Sequence, residues 1–569
     1  MAFQVSPGIN VSEIDLTASV PGVSVSTGAI AGAFKWGPAL QLTQVTNETE
    51  LVNIFGAPDD QTSNVFFSAA SFLAYSNDLL VVRAANTNST RNSVANANGS
   101  YATASAVLIG NESNYFNSQE YQGTSTANAA FVARYAGVKG NSLQVSVCPS
   151  AAAFSGWAYA SLLDSAPGTS TYVSGKNGAN DEIHIAVIDA GGLFTGTPGT
   201  TLERFGYLSK ASDARNDDGS TNYYKEVLFN RSKYVYWAGH PTSTNTTNWG
   251  SAALNTTFGE GSSNVTVRFI SGADGSIGTG QLQTAYDLFE DKENVDISLL
   301  IAADGHDKGI AGDLLDLAEA RKDCVAFISP TYEDTLIDTT PTTSIAGTAT
   351  ALASRNSYGV HDSGWKYMYD KYNDKYRWVP LNGDIAGLCA RTDRDRDPWF
   401  SPAGFQRGAI RNVVKLAFNP NQAQRDTLYK AGVNPVVSLP GEGTVLFGDK
   451  TLANKPSAFD RINVRRLFIV LEKAISRAAR ASLFEFNDEF TRAQFVALVE
   501  PFLRTVQGRR GIYDFRVVCD ETNNTPDIID RNEFVGDIYI KPARSINFVQ
   551  LNFVAVRTGV DFQEIVGRF

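Results

Sequence analysis

The segment RINVRRLFIVLEKAISRAARASL, residues 461–483, decides the fold of the C-terminal part of this chain. It repeats the i, i+3, i+4, i+7 spacing of an amphipathic helix. The residues that share the face of this helix are Leu467, Val470, Leu471, Ala474, Ile475, Ala478 and Ser482. At about 100° per residue, a basic stripe lies alongside that face. The stripe consists of Arg466, Lys473, Arg477 and Arg480.

The residues that follow predict a second helix and three strands. We expect Thr491 to cap the second helix. The apolar face of that helix consists of Phe495, Leu498, Val499, Phe502 and Val506. Tyr513, Phe515 and Val517 alternate as in a strand, and residues 534–540 and 546–556 predict two more. A regular α+β module of this kind, without a plausible catalytic group, is typical of a domain that pairs with other chains.

Bulk composition places the chain among ordinary globular proteins. Its 569 residues suffice for several domains, and 43% are hydrophobic and 19% charged. The formal net charge of −11 argues against nucleic-acid contact. The four cysteines, Cys148, Cys324, Cys389 and Cys519, have no CxxC spacing, so they predict isolated small apolar residues in a reducing compartment.

Nothing in the sequence predicts membrane insertion or secretion. The N-terminal stretch lacks the basic and apolar regions of a signal peptide. Apolar runs such as residues 297–303 and 467–471 are too short to span a bilayer. We therefore expect the protein to be made in a cytoplasm and to stay soluble.

Residues 1–20 read as an extended arm. Pro7 and Gly8 exclude a helix, and Pro21 with Gly22 predicts a closing turn. The apolar residues of the arm are Val5, Ile9, Val11, Ile14 and Leu16. They have no packing partner nearby in sequence, so two readings stay open from the residues alone: a first strand of the local sheet, or a strand donated to another subunit.

Changes in composition and period divide the rest of the chain. Residues 87–265 are rich in Asn, Ser, Thr and Gly, with alternating short strands, and predict β-rich outer domains. Residues 281–292 and 308–321 predict helices around buried strands at 295–302 and 324–328, a right-handed β-α-β unit. The simplest topology inserts 87–265 into a central α/β domain made of 21–86 and 266–380. Residues 381–569 then form the C-terminal domain.

Candidate chemical sites are few, and we expect no enzyme activity, cofactor or metal. The segment 443–451 resembles a phosphate loop, but Asp449 precedes Lys450 and would repel phosphate. Asp393-Arg-Asp-Arg-Asp397 predicts an alternating ion-pair surface, since its arginines compensate the charge that a cation needs. Asp304-Gly-His306-Asp307 follows a buried strand, where α/β enzymes place ligands, and is the best enzymatic candidate. No second cluster completes it.

Several motifs, in order along the chain, resemble the tail sheath proteins of contractile phages. In the C-terminal half they are WFSPAG (399–404), RG (407–408), NP (434–435), GT (443–444), FG (447–448), KT (450–451), NVRR (463–466), FEFN (484–487), GDIYI (536–540) and KP (541–542). Upstream they are SPG (6–8) with Val11 and Glu13, Gly32 with WGP (36–38), RY (134–135), GN (140–141), SVC (146–148), KDC (322–324) and SP (329–330). The chain length, the segment 134–148 and YYK (223–225) are most similar to sheaths of large myoviruses.

The resemblance implies a structural machine rather than a catalyst. Six subunits form a ring around a tail tube, rings stack into a helical sleeve, and the sleeve contracts from a metastable extended state. Partners are other copies, the tube protein, and the baseplate and tail terminator proteins of a virion tail assembled in the host bacterial cytoplasm. The basic stripe is the candidate tube contact, with a solvated helix face as the alternative.

The resemblance also implies that the C-terminal sheet is completed by strands from neighbouring subunits. The matching stretches are the arm and a C-terminal strand with Ile546, Phe548, Val549, Leu551, Phe553 and Val554. It favours donation of the arm over a local strand. The implied architecture is an α+β multidomain chain with a sandwich-like C-terminal assembly domain. The alternatives are a sheath of a bacteriocin, secretion or injection apparatus, and an α/β enzyme that uses the 304–307 loop.

Overall fold

The computed structural model describes residues 26–99, 107–124 and 127–547. These residues form a mixed α+β structure with several separate sheets. The elements of the first segment are β1 (Gly28–Gly32), β2 (Thr43–Val45), α1 (Glu48–Phe55), α2 (Ser63–Leu73) and β3 (Leu79–Arg83). The next segment contains β4 (Asn92–Asn96), α3 (Glu112–Phe116), α4 (Gln119–Gln122), β5 (Ala129–Ala136), β6 (Leu143–Cys148), α5 (Ala151–Phe154), α6 (Thr171–Ser174), β7 (Glu182–Asp189), β8 (Thr200–Ser209), α7 (Tyr224–Arg231), β9 (Val235–Trp237) and β10 (Val265–Arg268).

The second half of the chain carries the remaining elements. Up to residue 446 they are α8 (Thr279–Tyr286), β11 (Leu299–Ile301), α9 (Ala311–Arg321), β12 (Val325–Ile328), α10 (Pro341–Ala351), β13 (Gly359–Asp362), β14 (Trp365–Asp370), β15 (Lys375–Pro380), α11 (Asn382–Asp395), β16 (Lys415–Leu416), α12 (Gln422–Lys430), β17 (Val433–Asn434), β18 (Val436–Leu439) and β19 (Gly443–Leu446). The last are α13 (Ile462–Ala479), α14 (Glu489–Gly508), β20 (Ile512–Val518), α15 (Pro526–Asp530) and β21 (Asp537–Pro542).

A seven-stranded sheet in the order β17-β13-β12-β11-β1-β3-β2 forms the centre of the molecule. All its pairings are parallel except that of the edge strand β2. Helices cover both faces, which is why its strands read as continuous apolar runs. Side chains of α2 and α11 pack on one face, and those of α8 and α9 pack on the other. The predicted β-α-β unit is present as β11-α9-β12, with strands shorter than predicted.

Along the chain, residues 92–268 lie between β3 and β11, the two strands that flank β1 in this sheet, and they form sheets of their own. These are a four-stranded sheet, β10-β6-β7-β8, and a three-stranded sheet, β4-β5-β9. Buried aromatic and β-branched side chains of both sheets share one core. The buried guanidinium of Arg83 connects this part to the central sheet by donating to the carbonyls of Phe34, Gly37 and Ala136.

The predicted domain boundary at residue 381 does not coincide with a break in the structure. Helix α11 packs on the central sheet, and β17 is the edge strand of that sheet. The central fold therefore continues beyond residue 430. Sequence periodicity missed this because a strand of two residues carries no periodic signal.

The C-terminal elements pack as a separate cluster of α13, α14, β20 and β21. Helix α13 ends at Ala479, before Ser482, and a 3₁₀ turn follows it. The cap of α14 is Asp488, whose carboxylate accepts a hydrogen bond from the backbone N–H of Thr491 at 2.8 Å. Thr491 was therefore the wrong residue, because the helix begins one turn earlier.

Two further expectations concern membranes and thiols. Among the described residues, no helix is long and apolar enough to cross a bilayer. The thiols of Cys148, Cys324, Cys389 and Cys519 are free and buried. Burial raises the pKa of Cys148 to about 11 and that of Cys324 and Cys389 to about 12, so these thiols stay protonated at neutral pH.

Candidate functional site

The first residue of the predicted basic stripe does not reach the surface. Arg466 lies in the first turns of α13 and forms a two-pronged ion pair with Asp393 of α11, at 2.7 and 2.5 Å. Both side chains are at most 5% exposed. Burial raises the pKa of Asp393, and the guanidinium opposes that shift. Arg466 thus connects two helices by a buried ion pair. The prediction that it belongs to a surface stripe was wrong.

This pair also corrects the interpretation of the 393–397 segment. Of its carboxylates, Asp393 pairs with Arg466 and Asp397 pairs with Arg509 at 2.5 Å. The exposed Arg394–Asp395 pair is local. The segment therefore connects α11 to the C-terminal helices instead of forming an alternating surface.

The middle of the stripe is attached to the central domain. The ammonium of Lys473 lies 2.8 Å from Asp296, and it donates to the carbonyl of Ile297 at 2.7 Å and to the hydroxyl of Ser298 at 2.9 Å. Arg477 lies 3.4 Å from the same Asp296 carboxylate. One carboxylate of the loop before β11 thus holds two cations of α13.

The outer end of the stripe is open to solvent. The side chain of Arg477 is 45% exposed despite its contact with Asp296. Arg480 begins the 3₁₀ turn and is exposed, and it forms no ion pair with any residue that the structure describes. The structure therefore brings Lys473, Arg477 and Arg480 onto one side of α13, and their exposure increases toward the end of the helix.

Most of the predicted strand-exchange residues lie outside the described residues. These are Val5, Ile9, Val11, Ile14, Leu16, Phe548, Val549, Leu551, Phe553 and Val554. Ile546 is described and is 84% exposed. In the described part of the chain, β20 and β21 form a two-stranded antiparallel sheet that packs on α14. A sheet this small depends on helix packing or on further strands for its stability.

A groove of about 930 Å³ opens beside this sheet, at the start of α13 and the end of α14. Residues 543–547 run along it. Ser545 donates to Asp449 at 2.6 Å, and the amide of Asn547 donates to the same carboxylate at 3.1 Å. Arg461 also pairs with Asp449 at 3.1 Å. Asp449, which excluded a phosphate site in the sequence, thus anchors the segment that leads to the C-terminus.

The phosphate-loop-like segment is part of a hairpin. Strand β19 pairs with β18, and the Lys450 ammonium donates to the carbonyl of Tyr429 at 2.7 Å. Its backbone N–H donates to the Asn434 side chain at 2.7 Å. Both groups are committed to internal contacts.

The 304–307 loop lies at the carboxyl end of the central sheet, as its sequence position predicted. His306 contacts the Ser329 carbonyl at 3.1 Å, and Asp307 accepts from the Tyr332 backbone at 2.9 Å. Burial raises the pKa of Asp307 to about 6 and lowers that of the neighbouring His361 to about 3. No group of three or more His, Cys, Asp or Glu side chains suited to a metal occurs among the residues that the structure describes.

Asp362, at the end of β13, gives this region a testable pH dependence. Its carboxyl contacts the Ser329 hydroxyl at 2.7 Å and the Gly364 N–H at 2.9 Å, and burial raises its pKa to about 8. In the unfolded chain this pKa is about 4. Between these values only the folded state holds the proton, so the free energy of unfolding falls as pH rises, by up to about 1.4 kcal/mol per unit.

We expect Asp362→Asn to flatten this dependence, because an amide does not titrate in this pH range. Urea unfolding at pH 5, 6.5 and 8 measures it. As pH rises, the free energy of unfolding of the variant should increase relative to that of the natural chain. If this free energy changes with pH equally in both proteins, the assignment is contradicted.

Comparisons with known proteins agree with this architecture. Residues 26–84 match a family model described as the tail sheath protein Gp18 domain III N-terminal region. Residues 275–452 match the phage tail sheath protein central domain, and residues 454–555 match the phage tail sheath C-terminal domain. The tail sheath protein of Enterobacteria phage T4 is 35% identical, over 99% of this chain and 99% of its own. The chain belongs to the tail sheath protein family.

Further relatives place this sheath protein among those of contractile tails. The tail sheath protein of Vibrio phage KVP40 is 36% identical over 99% of both chains. The solved sheath tail protein of Desulfitobacterium hafniense is 11% identical with a TM-score of 0.53, over 95% of this chain and 100% of that one. The helical sheath of the anti-feeding prophage in its contracted state is 12% identical with a TM-score of 0.51, over 97% and 99%. At these identities the solved structures show the fold alone.

Membership settles the broad functional class. The family consists of structural sheath proteins of contractile phage tails, which are components of the virion tail. The functional surfaces to seek are therefore interfaces. Sequence reasoning predicted the basic stripe and the two terminal strands as such interfaces. It missed Asp296, because an isolated aspartate carries no pattern that connects it to helix residues 177 and 181 positions away.

Proposed function

We propose that this sheath subunit polymerises as stacked hexameric rings around a tail tube and contracts from a metastable extended state. Contraction drives the tube through the host envelope for genome delivery. The sleeve ends on baseplate and tail terminator proteins and is assembled in the host bacterial cytoplasm. The observation that carries the proposal is family membership over 99% of the chain, together with a C-terminal sheet that has two strands in the described residues.

We propose that this sheet is completed by strands from neighbouring subunits, namely residues 5–16 and 546–556. Main-chain hydrogen bonds of an added strand supply affinity, and alternate side chains supply specificity. Ordering a strand costs about 1–2 kcal/mol per residue, so each exchange is modest and cohesion comes from many acting together. Extended connections of this kind act as hinges while rigid domains change their lattice.

The tube contact is assigned to the exposed end of α13. Arg477 and Arg480 offer cations there, whereas Arg466 is buried and Lys473 is held by Asp296. Exposed ion pairs contribute about 0.2–1 kcal/mol each and weaken with salt. A contact this weak suits a sleeve that must release its tube.

Reversing both charges, Arg477→Glu with Arg480→Glu, should reduce co-assembly with the tube protein by about tenfold or more, since small losses repeat along the sleeve. Co-sedimentation at 50 and 200 mM salt measures the change. The matched control is Arg504→Glu with Arg531→Glu, which has the same change in net charge at side chains that are 70% and 60% exposed. Equal loss in both variants, or loss in neither, would reject the assignment.

Asp296 supplies a variant with the opposite expected effect. Asp296→Asn removes the carboxylate that competes with the tube for Lys473 and Arg477. We expect tighter tube binding at low salt and a steeper loss of binding with added salt.

Electron microscopy of the purified protein tests the proposed function itself. We expect rings or tubular polymers, with or without tube protein, and no nucleotide hydrolysis, because the work comes from the lattice. Persistent monomers under all conditions would overturn the proposal. So would an ATPase activity that disappears in Lys450→Ala.

A further inference from the structure

The loop between α13 and α14 exposes an unusual amount of apolar surface. We name residues 483–490, LFEFNDEF, the aromatic loop. Leu483 is 62% exposed, Phe484 fully exposed, Phe486 83% and Phe490 75%. Clustered exposed apolar side chains mark interaction surfaces, whereas single ones do not. The same eight residues carry three carboxylates, Glu485, Asp488 and Glu489, and no cation.

The backbone of the aromatic loop is anchored, so this exposure is part of the fold. Asn487 donates to the Glu533 carbonyl at 2.8 Å and to the Asn524 side chain at 3.1 Å. Arg492 donates to the Asn487 side chain at 2.9 Å, and Asp488 caps α14. Phe484 has a φ of 69°, a left-handed conformation that is costly for a residue with a side chain. Together these hydrogen bonds hold the aromatic loop so that its acidic and aromatic side chains face solvent.

A complementary surface lies at the other end of the same helix pair. The groove described above includes Asn463 at the start of α13 and Gln507 at the end of α14. The aromatic loop joins the end of α13 to the start of α14. Eighteen residues of helix separate the two surfaces by about 27 Å, so one chain cannot close the contact on itself.

The chemistry of the groove is the counterpart of that of the loop. Its apolar lining includes Trp399, Phe400, Tyr429, Phe447 and Ile512. Its cations are Arg407, Arg425, Arg510 and Arg544, and none of them is ion-paired within the part of the chain that the structure describes. Of its two carboxylates, Asp449 is already paired with Arg461. Net positive charge and aromatic surface suit an acidic aromatic segment.

We infer that the aromatic loop of one copy docks in this groove of the next copy. The contact joins different surfaces of identical chains, so it is head-to-tail and builds a ring or a helical array rather than a closed pair. It rests on the proposed self-assembly and adds to it a side-chain contact in a groove whose lining includes Ile546 and Asn547, the first residues of the proposed exchanged strand.

The first test removes one exposed aromatic side chain of the aromatic loop. Phe486→Ser should raise the protein concentration needed for polymers at least about tenfold, because docking in the groove would bury the phenyl ring. The matched control is Leu254→Ser, an exposed apolar residue of the outer region that is 66% exposed. Circular dichroism and the monomer melting temperature should be unchanged in both variants, since neither side chain is in a core. If Phe486→Ser polymerises at the same protein concentration as the natural chain, the inference is overturned.

The second test maps the contact directly. The natural cysteines are buried, so introduced ones report alone. Copies carrying Phe486→Cys are mixed with copies carrying Arg510→Cys, polymerised and oxidised, and a crosslinked pair is expected. Leu254→Cys with Arg510→Cys is the negative control. Polymers in which Arg510→Cys links instead to Ile9→Cys or Val549→Cys would give the groove to a terminal segment and overturn the inference.

The two hypotheses fail in different ways. Tubes without the Phe486–Arg510 crosslink reject the head-to-tail contact and leave the proposed function intact. Absence of tubes from the unmodified protein rejects both.

Discussion

Replacing Arg466 with alanine should destabilise the C-terminal half of the chain by about 3–5 kcal/mol, because it leaves the buried Asp393 carboxylate without its partner. Asp393→Ala should cost a similar amount by stranding the guanidinium. Both losses should appear in urea unfolding monitored by tryptophan fluorescence, to which Trp399 of the same apolar cluster contributes. Limited proteolysis between α11 and α13 should accelerate in parallel.

The control for this prediction replaces the whole pair. Arg466→Met with Asp393→Leu removes both charges and fills a similar volume, so it should recover most of the loss. Arg504→Ala, which breaks an exposed pair, should change stability by less than about 1 kcal/mol. If Arg466→Ala is as mild as Arg504→Ala, the pair is not buried in the folded protein.

Deleting residues 1–20 should abolish tubular polymers while leaving a folded monomer. In the proposed lattice the arm supplies a strand to a neighbour, so its loss removes one connection per subunit along every row. The apolar clusters formed by the described residues are extensive, so we expect the monomer to fold without the arm. Microscopy and sedimentation measure polymer, and circular dichroism with thermal melting measures the monomer.

Point variants distinguish strand exchange from a general effect of added charge on the arm. Ile9→Asp with Val11→Asp places charges on the predicted buried side of the strand, and it should block polymers. Asn10→Asp with Ser12→Asp adds the same charge on the opposite side and should be tolerated. Tubes from the deleted protein, or equal effects of the two pairs, would contradict arm donation.

Strong periodic patterns made several elements predictable. The 3.6-residue period of the apolar residues predicted α13. Short apolar runs on either side of a segment with helical period predicted β11-α9-β12. These elements are predictable because a helix face or a buried strand imposes its requirement on residues that are close in sequence. The expectation of no catalytic cluster also rested on residue types and spacing alone.

Long-range packing decided what periodicity missed. Arg466 belongs to the basic stripe by its angle on the helix, yet α11 covers that end of α13 and supplies Asp393. Likewise, β17 joins the central sheet through pairing with β13, although two residues carry no periodic signal. The N-cap of α14 is Asp488 instead of the predicted Thr491, because the cap depends on where the backbone enters the helix.

The sequence by itself determined the helices and strands with strong apolar periods, the family resemblance and the expectation of interfaces instead of a catalytic centre. The tertiary structure alone decided which cations are exposed, which carboxylate holds them, and that the aromatic loop and the groove lie at opposite ends of one helix pair. The physical reason is the sequence distance over which each kind of contact acts. Periodicity records the face of an element, whereas burial and charge pairing depend on which distant element covers that face.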